Sequence, residues 1–196
     1  MIIFGICGSS GSGKSTVAAV FQKRGALILD CDEIYHELIS SDTPCLKAIG
    51  NAFGKEYIQN DSLDRKKLGA LVFRDDEKRK KLNEITHQFV KEELKKRLDR
   101  ARDDKVKACL IDAPLFFEAR LEDWCDAVIG VTAPKKEKIL RICKRDGISK
   151  KEAELRLSSQ IPDCELRSRC DFWIENRGDL SDLEAACREI LEKYRL

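Results

Sequence analysis

The chain has 196 residues, enough for one compact domain with a buried core. Its 37 lysines and arginines nearly balance 35 aspartates and glutamates, leaving a net charge of +2, so bulk charge does not mark a nucleic-acid binder. No apolar run is long enough to span a bilayer, and no basic stretch precedes a longer apolar one at the start, so neither a membrane span nor a signal peptide is expected.

The nine cysteines are scattered, with no C-x-x-C pair, and several sit in strand-like runs. They read as reduced, mostly buried thiols of a cytoplasmic protein. With two histidines and no ligand spacing, a zinc site is not expected.

In chain order, Ile2-Ile3-Phe4-Gly5-Ile6-Cys7 is an apolar run of strand length. Gly8-Ser9-Ser10-Gly11-Ser12-Gly13-Lys14-Ser15 follows and fits G-x-x-x-x-G-K-[ST] at every fixed position. A helical pattern then runs from Thr16 to Arg24 and stops at Gly25. Strand, glycine loop and helix are the context in which this motif binds nucleoside triphosphate. Glycines let peptide N–H groups converge on an anion, and the helix directs its positive dipole end to the same point. Lys14 has the reach for β- and γ-phosphate oxygens, and the Ser15 hydroxyl suits a Mg²⁺ shell.

Residues 26–30 form a second apolar run, ending in Asp30-Cys31-Asp32, and a helix follows through Ile39. Thr43-Pro44 starts another helix, with a capping hydroxyl and proline at the first turn. Residues 54–62 read as a loop, and Asp64 caps a helix carrying Leu68, Leu71 and Val72. From 75 to about 103 runs the longest helical pattern, a charged helix with one apolar stripe. Strand patterns return at 106–112, 126–131 and 171–175. Pro134 opens a helix that closes near Gly147. Ser149-Lys150-Lys151-Glu152 and Ser181-Asp182-Leu183-Glu184 each have the form of a capping box before a helix.

Strands alternating with helices predict an α/β fold with a mainly parallel five-stranded sheet. Residues 33–104 lie between the second and third strands, too long a stretch for one crossover, and read as an inserted helical substrate-binding region. Residues 148–163 form a smaller insertion.

Ligands bind at the carboxyl ends of strands in such sheets, where Asp30, Asp32 and Asp112 fall. Asp112 fits either a Walker-B carboxylate near Mg²⁺ or the cap of a turn. Asp32 fits either a base for the acceptor hydroxyl or the N-cap of the helix after it. Arg141 and Arg145, four apart on one helix, together with Arg156, Arg167 and Arg169, suit a lid that clamps a transferring phosphoryl group. For each alone, pairing with Glu137, Asp146 or Glu152 is the competing reading.

Taken together, these pieces resemble the dephospho-coenzyme A kinases over nearly the whole chain. The resemblance rests on the phosphate loop, Ile28-Leu29-Asp30-Cys31-Asp32, Asp112-Ala113-Pro114-Leu115-Phe116-Phe117-Glu118 and the Arg141 to Gly147 run R-x-x-x-R-D-G. It also rests on Arg156-Leu157-Ser158-Ser159-Gln160 and the closing Cys170-Asp171-Phe172-Trp173-Ile174-Glu175-Asn176-Arg177-Gly178. It implies a P-loop NTPase three-layer fold with strand order 2-3-1-4-5. The core would comprise 1–32, 105–147 and 164–196, with 33–104 as substrate domain and 148–163 as lid. It implies transfer of the ATP γ-phosphate to the ribose 3′-hydroxyl of dephospho-CoA, with Mg²⁺.

In that scheme Asp32 is the base, and Lys14, Arg141 and Arg145 act on the phosphates. Gly11, Ser12, Gly13, Lys14, Ser15, Thr16, Arg156 and Asn176 hold ATP. Ser15 and Asp112 serve the metal. Asp32, His87, Pro114, Leu115 and Glu118 face the acceptor. The small molecule is the expected partner of a monomer or weak homo-oligomer, without nucleic acid or membrane. Gln88 stands where the family usually has a proline, so the helix through His87 is expected to run on uninterrupted. The alternative is a P-loop kinase of another acceptor, such as a nucleoside or nucleotide. A GTP-dependent switch would need an N-K-x-D motif, which the chain lacks.

Overall fold

The computed structural model describes residues 1–196 and divides into two compact units, residues 1–29 with 101–196, and residues 30–100. The first is built on β1 (Ile2–Cys7), β2 (Leu27–Asp30), β5 (Ala108–Asp112), β6 (Ala127–Thr132) and β7 (Phe172–Glu175). Their order is β2-β5-β1-β6-β7, which is the order 2-3-1-4-5 expected of the five core strands. β1 pairs in parallel with β5 and β6, and β6 with β7.

The alternation of each strand assigns its faces. Phe4 and Ile6, Ala108 and Leu110, and Ala127, Ile129 and Val131 turn to one side. There they pack against α1 (Lys14–Lys23), through Val17, Val20 and Phe21, and α9 (Leu180–Lys193), through Leu183, Cys187, Ile190 and Leu191. Phe4 meets Phe21 and Tyr194 edge-on, with ring centroids 5.4 and 5.0 Å apart. On the other face Gly5 leaves room for Phe116, and Gly130 for Trp173. A Cβ would lie 2.2 and 2.4 Å from those rings.

Two aspartates set where the ladder starts. Asp126, ahead of β6, accepts the Ile3 N–H at 2.7 Å while its own N–H donates to the Ile3 carbonyl. Asp171, ahead of β7, does the same with Val128 on β6, at 2.8 and 2.9 Å. In each case a carboxylate supplies the acceptor that the parallel ladder lacks before its first paired residue.

α6 (Lys135–Asp146) follows β6 and ends on Gly147 in the left-handed conformation. α7 (Lys150–Ser158) starts with the complete Ser149–Glu152 capping box, and Ile139, Ile142 and Ala153 make a small core between these two helices. A short helix, α8 (Asp163–Ser168), follows, where the sequence pattern predicts none. The expected second capping box does not form. α9 begins one residue before Ser181, and Asp179 caps it by accepting the Ser181 N–H at 2.8 Å.

The second unit holds α2 (Cys31–Ile39), α3 (Pro44–Phe53), α4 (Arg65–Val72) and most of α5 (Asp76–Asp103) around Ile39, Leu46, Ile49, Leu63 and Leu68. Thr43 and Asp64 cap their helices as their positions imply, accepting N–H groups three residues on. Residues 54–62, read as loop, contain a single 3-10 turn and a minimal hairpin, β3 (Ile58–Gln59) against β4 (Ser62–Leu63). Asn60 and Asp61 turn it, both at positive φ (49° and 55°), as a two-residue hairpin with right-handed twist requires. α5 is continuous through His87 and Gln88, as expected without proline.

Phe4 is fully buried at the centre of the α1–α9 face. Phe4→Ala is therefore expected to lower the stability of the protein by about 3–5 kcal/mol, read from its urea midpoint. A loss below about 1 kcal/mol would mean that α1 and α9 close over the gap.

Candidate active site

The phosphate loop lies between β1 and α1. Gly11 and Gly13 take φ values of 76° and 99°, which a side chain would strain, and a Cβ on Gly13 would lie 2.0 Å from the Asn176 amide nitrogen. Gly13 is the N-cap of α1, with no side-chain cap. Of the first-turn N–H groups of α1, that of Thr16 donates to the Gly13 carbonyl at 3.0 Å, and those of Lys14 and Ser15 are left to an anion, which the positive end of the helix favours. Lys14 is half-buried, and its Nζ donates to the Gly8 carbonyl at 3.1 Å. Ser15 and Thr16 are exposed on the first turn. The donor set of N–H groups, one ammonium and hydroxyls fits a polyphosphate.

The loop is held from outside. Asn176, buried just past β7, donates from Nδ2 to the Ser12 carbonyl at 3.1 Å and accepts the Gly178 N–H at 3.1 Å. Arg141 on α6 donates to the Gly11 and Ser12 carbonyls at 3.2 and 3.4 Å. Next to Arg141's turn stands a residue the sequence reading did not single out. Lys138, whose side chain is 8% exposed, donates from Nζ to Asp163 at 2.7 Å and to the Ser9 hydroxyl at 3.1 Å. Ser9 and Thr132 also donate to the Asp163 carboxylate. Burial alone would push the Asp163 carboxyl up, but its hydrogen bonds from Lys138, Thr132 and Ser9 hold it below the usual carboxylate range. Gln160, on the approach to α8, grips the next residue: its Oε1 accepts the Ser10 N–H at 3.0 Å and its Nε2 donates to the Ser10 hydroxyl at 3.1 Å. Lys138 and Asp163 stand 25 residues apart in the sequence, so no local pattern signals them; the Arg156-Leu157-Ser158-Ser159-Gln160 run is the one hint of Gln160.

Arg145 and Arg156 converge on a different point. Arg145 makes a two-pronged pair with Asp146, at 2.7 and 2.9 Å, and Arg156 on α7 bonds the same carboxylate. Of the three arginines assigned to phosphate, Arg141 is the one that bonds loop atoms. The Arg145 guanidinium above all, with help from Arg156, holds the Asp146 carboxyl down to about 2.

Asp112 ends β5 opposite Ile6, two residues before the loop, at intermediate burial. Pro114, Leu115 and Glu118 are exposed on the turn after it, while Phe116 and Phe117 are buried beneath. Behind the loop, the Cys7 sulfur lies 3.3 Å from that of Cys170. Their shared hydrogen bond, together with burial, raises the Cys7 thiol, and the same bond lowers Cys170.

In the helical unit, Asp32 is exposed on the first turn of α2, but it is not the cap. That role belongs to Asp30, whose carboxylate accepts the Asp32 and Glu33 N–H groups at 2.8 and 3.2 Å. The capping alternative for Asp32 is thereby removed. His87 lies midway along α5 at intermediate burial.

The sheet order, the glycine loop capping α1 and the flanking helices define a P-loop kinase fold. Shikimate kinase from Acinetobacter baumannii shares that fold with a TM-score of 0.58 at 18% identity, covering 100% of this chain and 96% of that one. The family model for dephospho-CoA kinase matches residues 2–182. The dephospho-CoA kinase of Lactobacillus johnsonii is 36% identical over 190 residues, 96% of each chain. That of Corynebacterium glutamicum is 36% identical over 192 residues, 97% of this chain and 98% of its own. The solved dephospho-CoA kinase from Campylobacter jejuni superposes with a TM-score of 0.72 at 28% identity, covering 98% of this chain and 96% of its own. This chain belongs to the dephospho-CoA kinase family.

Two outcomes follow from the ionic clusters. Lys138→Met removes the ammonium and leaves the Asp163 carboxylate in a partly buried site. It is expected to cost about 2–3 kcal/mol, read by urea unfolding, with much of the loss recovered in Lys138→Met/Asp163→Leu. Asp146 has its pKa lowered on folding, from 3.8 to about 2. The contribution of its arginine pairs is therefore fully present above pH 4 or so and is lost as the pH falls through about 2. Carboxyl-carbon NMR should find that midpoint, and Arg145→Ala should raise it.

Proposed function

We propose that the protein transfers the γ-phosphate of ATP to the ribose 3′-hydroxyl of dephospho-CoA, giving CoA and ADP. What carries the reading is the presence, in one chain, of an uncapped glycine-loop helix start and family membership over residues 2–182. Gly11, Ser12, Gly13, Lys14, Ser15 and Thr16 wrap the polyphosphate, with the peptide N–H groups of Gly11, Gly13, Lys14 and Ser15 donating to it, and the Lys14 ammonium balances charge on its outer oxygens. Arg141, fixed to the loop carbonyls, presents a guanidinium at its rim. Arg145 and Arg156 reach phosphate by exchanging Asp146 for a phosphate oxygen as residues 148–163 act as lid. Asn176 fixes the loop and borders the adenine.

The Ser15 hydroxyl and the Asp112 carboxylate are hard oxygen donors of the kind Mg²⁺ takes. No cluster of three or more His, Cys, Asp or Glu gathers into a protein-only cage, which suits an ion held largely by phosphate oxygens. When bound, the ion neutralises charge developing on those oxygens.

Asp32 accepts the proton of the 3′-hydroxyl. His87, Pro114, Leu115 and Glu118 face the acceptor, and residues 33–104 supply its cleft. Closure of the lid excludes water, so that phosphate passes to the ribose rather than to hydrolysis.

The test is ADP release from Mg·ATP with and without dephospho-CoA, with the product weighed by mass spectrometry. Strong stimulation and a product one phosphoryl group heavier are expected. Bound ATP without stimulation would move the acceptor to a nucleoside or nucleotide. Asp32→Asn should lower kcat by about 10²–10⁴ while leaving the Kd for Mg·ADP nearly unchanged. Near-normal turnover would remove Asp32 from the base role.

A further inference from the structure

The fixed positions of the phosphate-loop pattern are its glycines, Lys14 and Ser15; Ser9 and Ser10 fall where the pattern accepts any residue. Yet both are bound to one short segment, residues 160–163, between α7 and α8. Asp163 accepts the Ser9 hydroxyl at 3.2 Å, and Lys138 ties the two together from below. Gln160 holds Ser10 twice, once at its peptide N–H and once at its hydroxyl.

The second contact is directional. The Ser10 N–H is turned to Gln160, so the N–H groups left for an anion begin at Gly11. A primary amide that both accepts from a peptide and donates to the adjoining hydroxyl fixes that peptide plane in rotation as well as position. Glycines at positive φ follow directly, and they have no side chains with which to resist rotation. Gln160 also stands two residues past the end of α7, with Pro162 restricting the chain beyond it. Its amide therefore joins the base of the lid to the entrance of the loop. On one side lies a cleft of about 500 Å³ lined by Ser9, Lys138, Leu157, Gln160 and Asp163 among others.

We propose that Gln160 is a positioning residue for phosphoryl transfer: through Ser10 it sets where the phosphate cradle begins and aligns the peptides after it. The proposal rests on the kinase reading for its effect on turnover, but the clamp itself can be read without any acceptor. Gln160 touches neither phosphate nor acceptor in this role, and binding of nucleotide as such depends on the loop and Lys14.

The experiment compares wild type, Gln160→Ala, Ser10→Ala and the double variant. Gln160→Ala should raise amide hydrogen exchange at Ser10 and Ser12 by about tenfold or more while leaving the α9 amides unchanged. Its kcat for dephospho-CoA, normalised to bound Mg·ADP, should fall by about 10–100-fold, with the Kd for Mg·ADP within about threefold of wild type. A role limited to stability would lower the bound fraction and leave kcat per bound nucleotide as it was. Ser10→Ala keeps the peptide contact and should lower kcat by about 3–10-fold. The double variant should be no worse than Gln160→Ala, since both act on one contact. Unchanged exchange at Ser10, a normalised kcat within twofold of wild type, or losses that multiply in the double variant would each overturn the proposal. Should wild type fail to phosphorylate dephospho-CoA, the acceptor reading falls while the exchange comparison still decides the clamp, unchanged exchange overturning it and raised exchange supporting it.

Discussion

A glycine loop cannot hold its own shape. The absence of side chains that lets peptide N–H groups converge on phosphate also removes every local restraint on their direction, and glycine loses more freedom on ordering than any other residue. The fixing must come from elsewhere in the fold. Here it comes from Arg141 and Lys138 on α6, Asn176 after β7, and Gln160 and Asp163 between α7 and α8. All stand on elements that follow β6. The strand order brings those elements beside β1, because β6 is its immediate neighbour and β7 is next. The sheet topology is thus what makes the loop rigid, over and above the motif inside the loop.

Two ionic clusters near one another in sequence have opposite physical character. Lys138 and Asp163 meet with the lysine nearly out of solvent, where salt screens little and the loss of either partner strands the other. Arg145, Asp146 and Arg156 meet with both arginines substantially exposed, where exchange of partners costs little. The first suits a fastening. The second suits the exchange of a carboxylate for a phosphate that the proposed lid role asks of these arginines.

Much of this was legible from local sequence, for reasons that are themselves local. Thr43, Asp64 and Ser149–Glu152 each act on backbone within three residues, so the pattern and the structure are the same fact. The phosphate loop is contiguous, and its flanking strand and helix are strongly apolar on one face. Where a competing group lay within a residue or two, the local pattern pointed to its neighbour: Asp30 rather than Asp32 caps α2, and Asp179 rather than the expected Ser181 caps α9. The hairpin at 58–63 was missed because each strand has two residues, too few for alternation to register. The Lys138–Asp163 pair was missed because a lysine in a charged helix reads as solvated, and only the tertiary fold buries it.

Asp126 and Asp171 index β6 against β1 and β7 against β6. In a parallel sheet, slipping one strand by a single residue reverses every side chain on it. A slip of β6 would put Ile129 or Val131 where Gly130 now leaves room for Trp173 and the Cys170 sulfur, and it would turn Thr132 away from Asp163. A slip of β7 would carry Asn176 off the Ser12 carbonyl. These two carboxylates lie at the amino ends of their strands, the full length of the sheet from the phosphate loop. They work as zero marks on a ruler whose far end is the nucleotide site, so the accuracy of the loop is set in part at the opposite end of the strands.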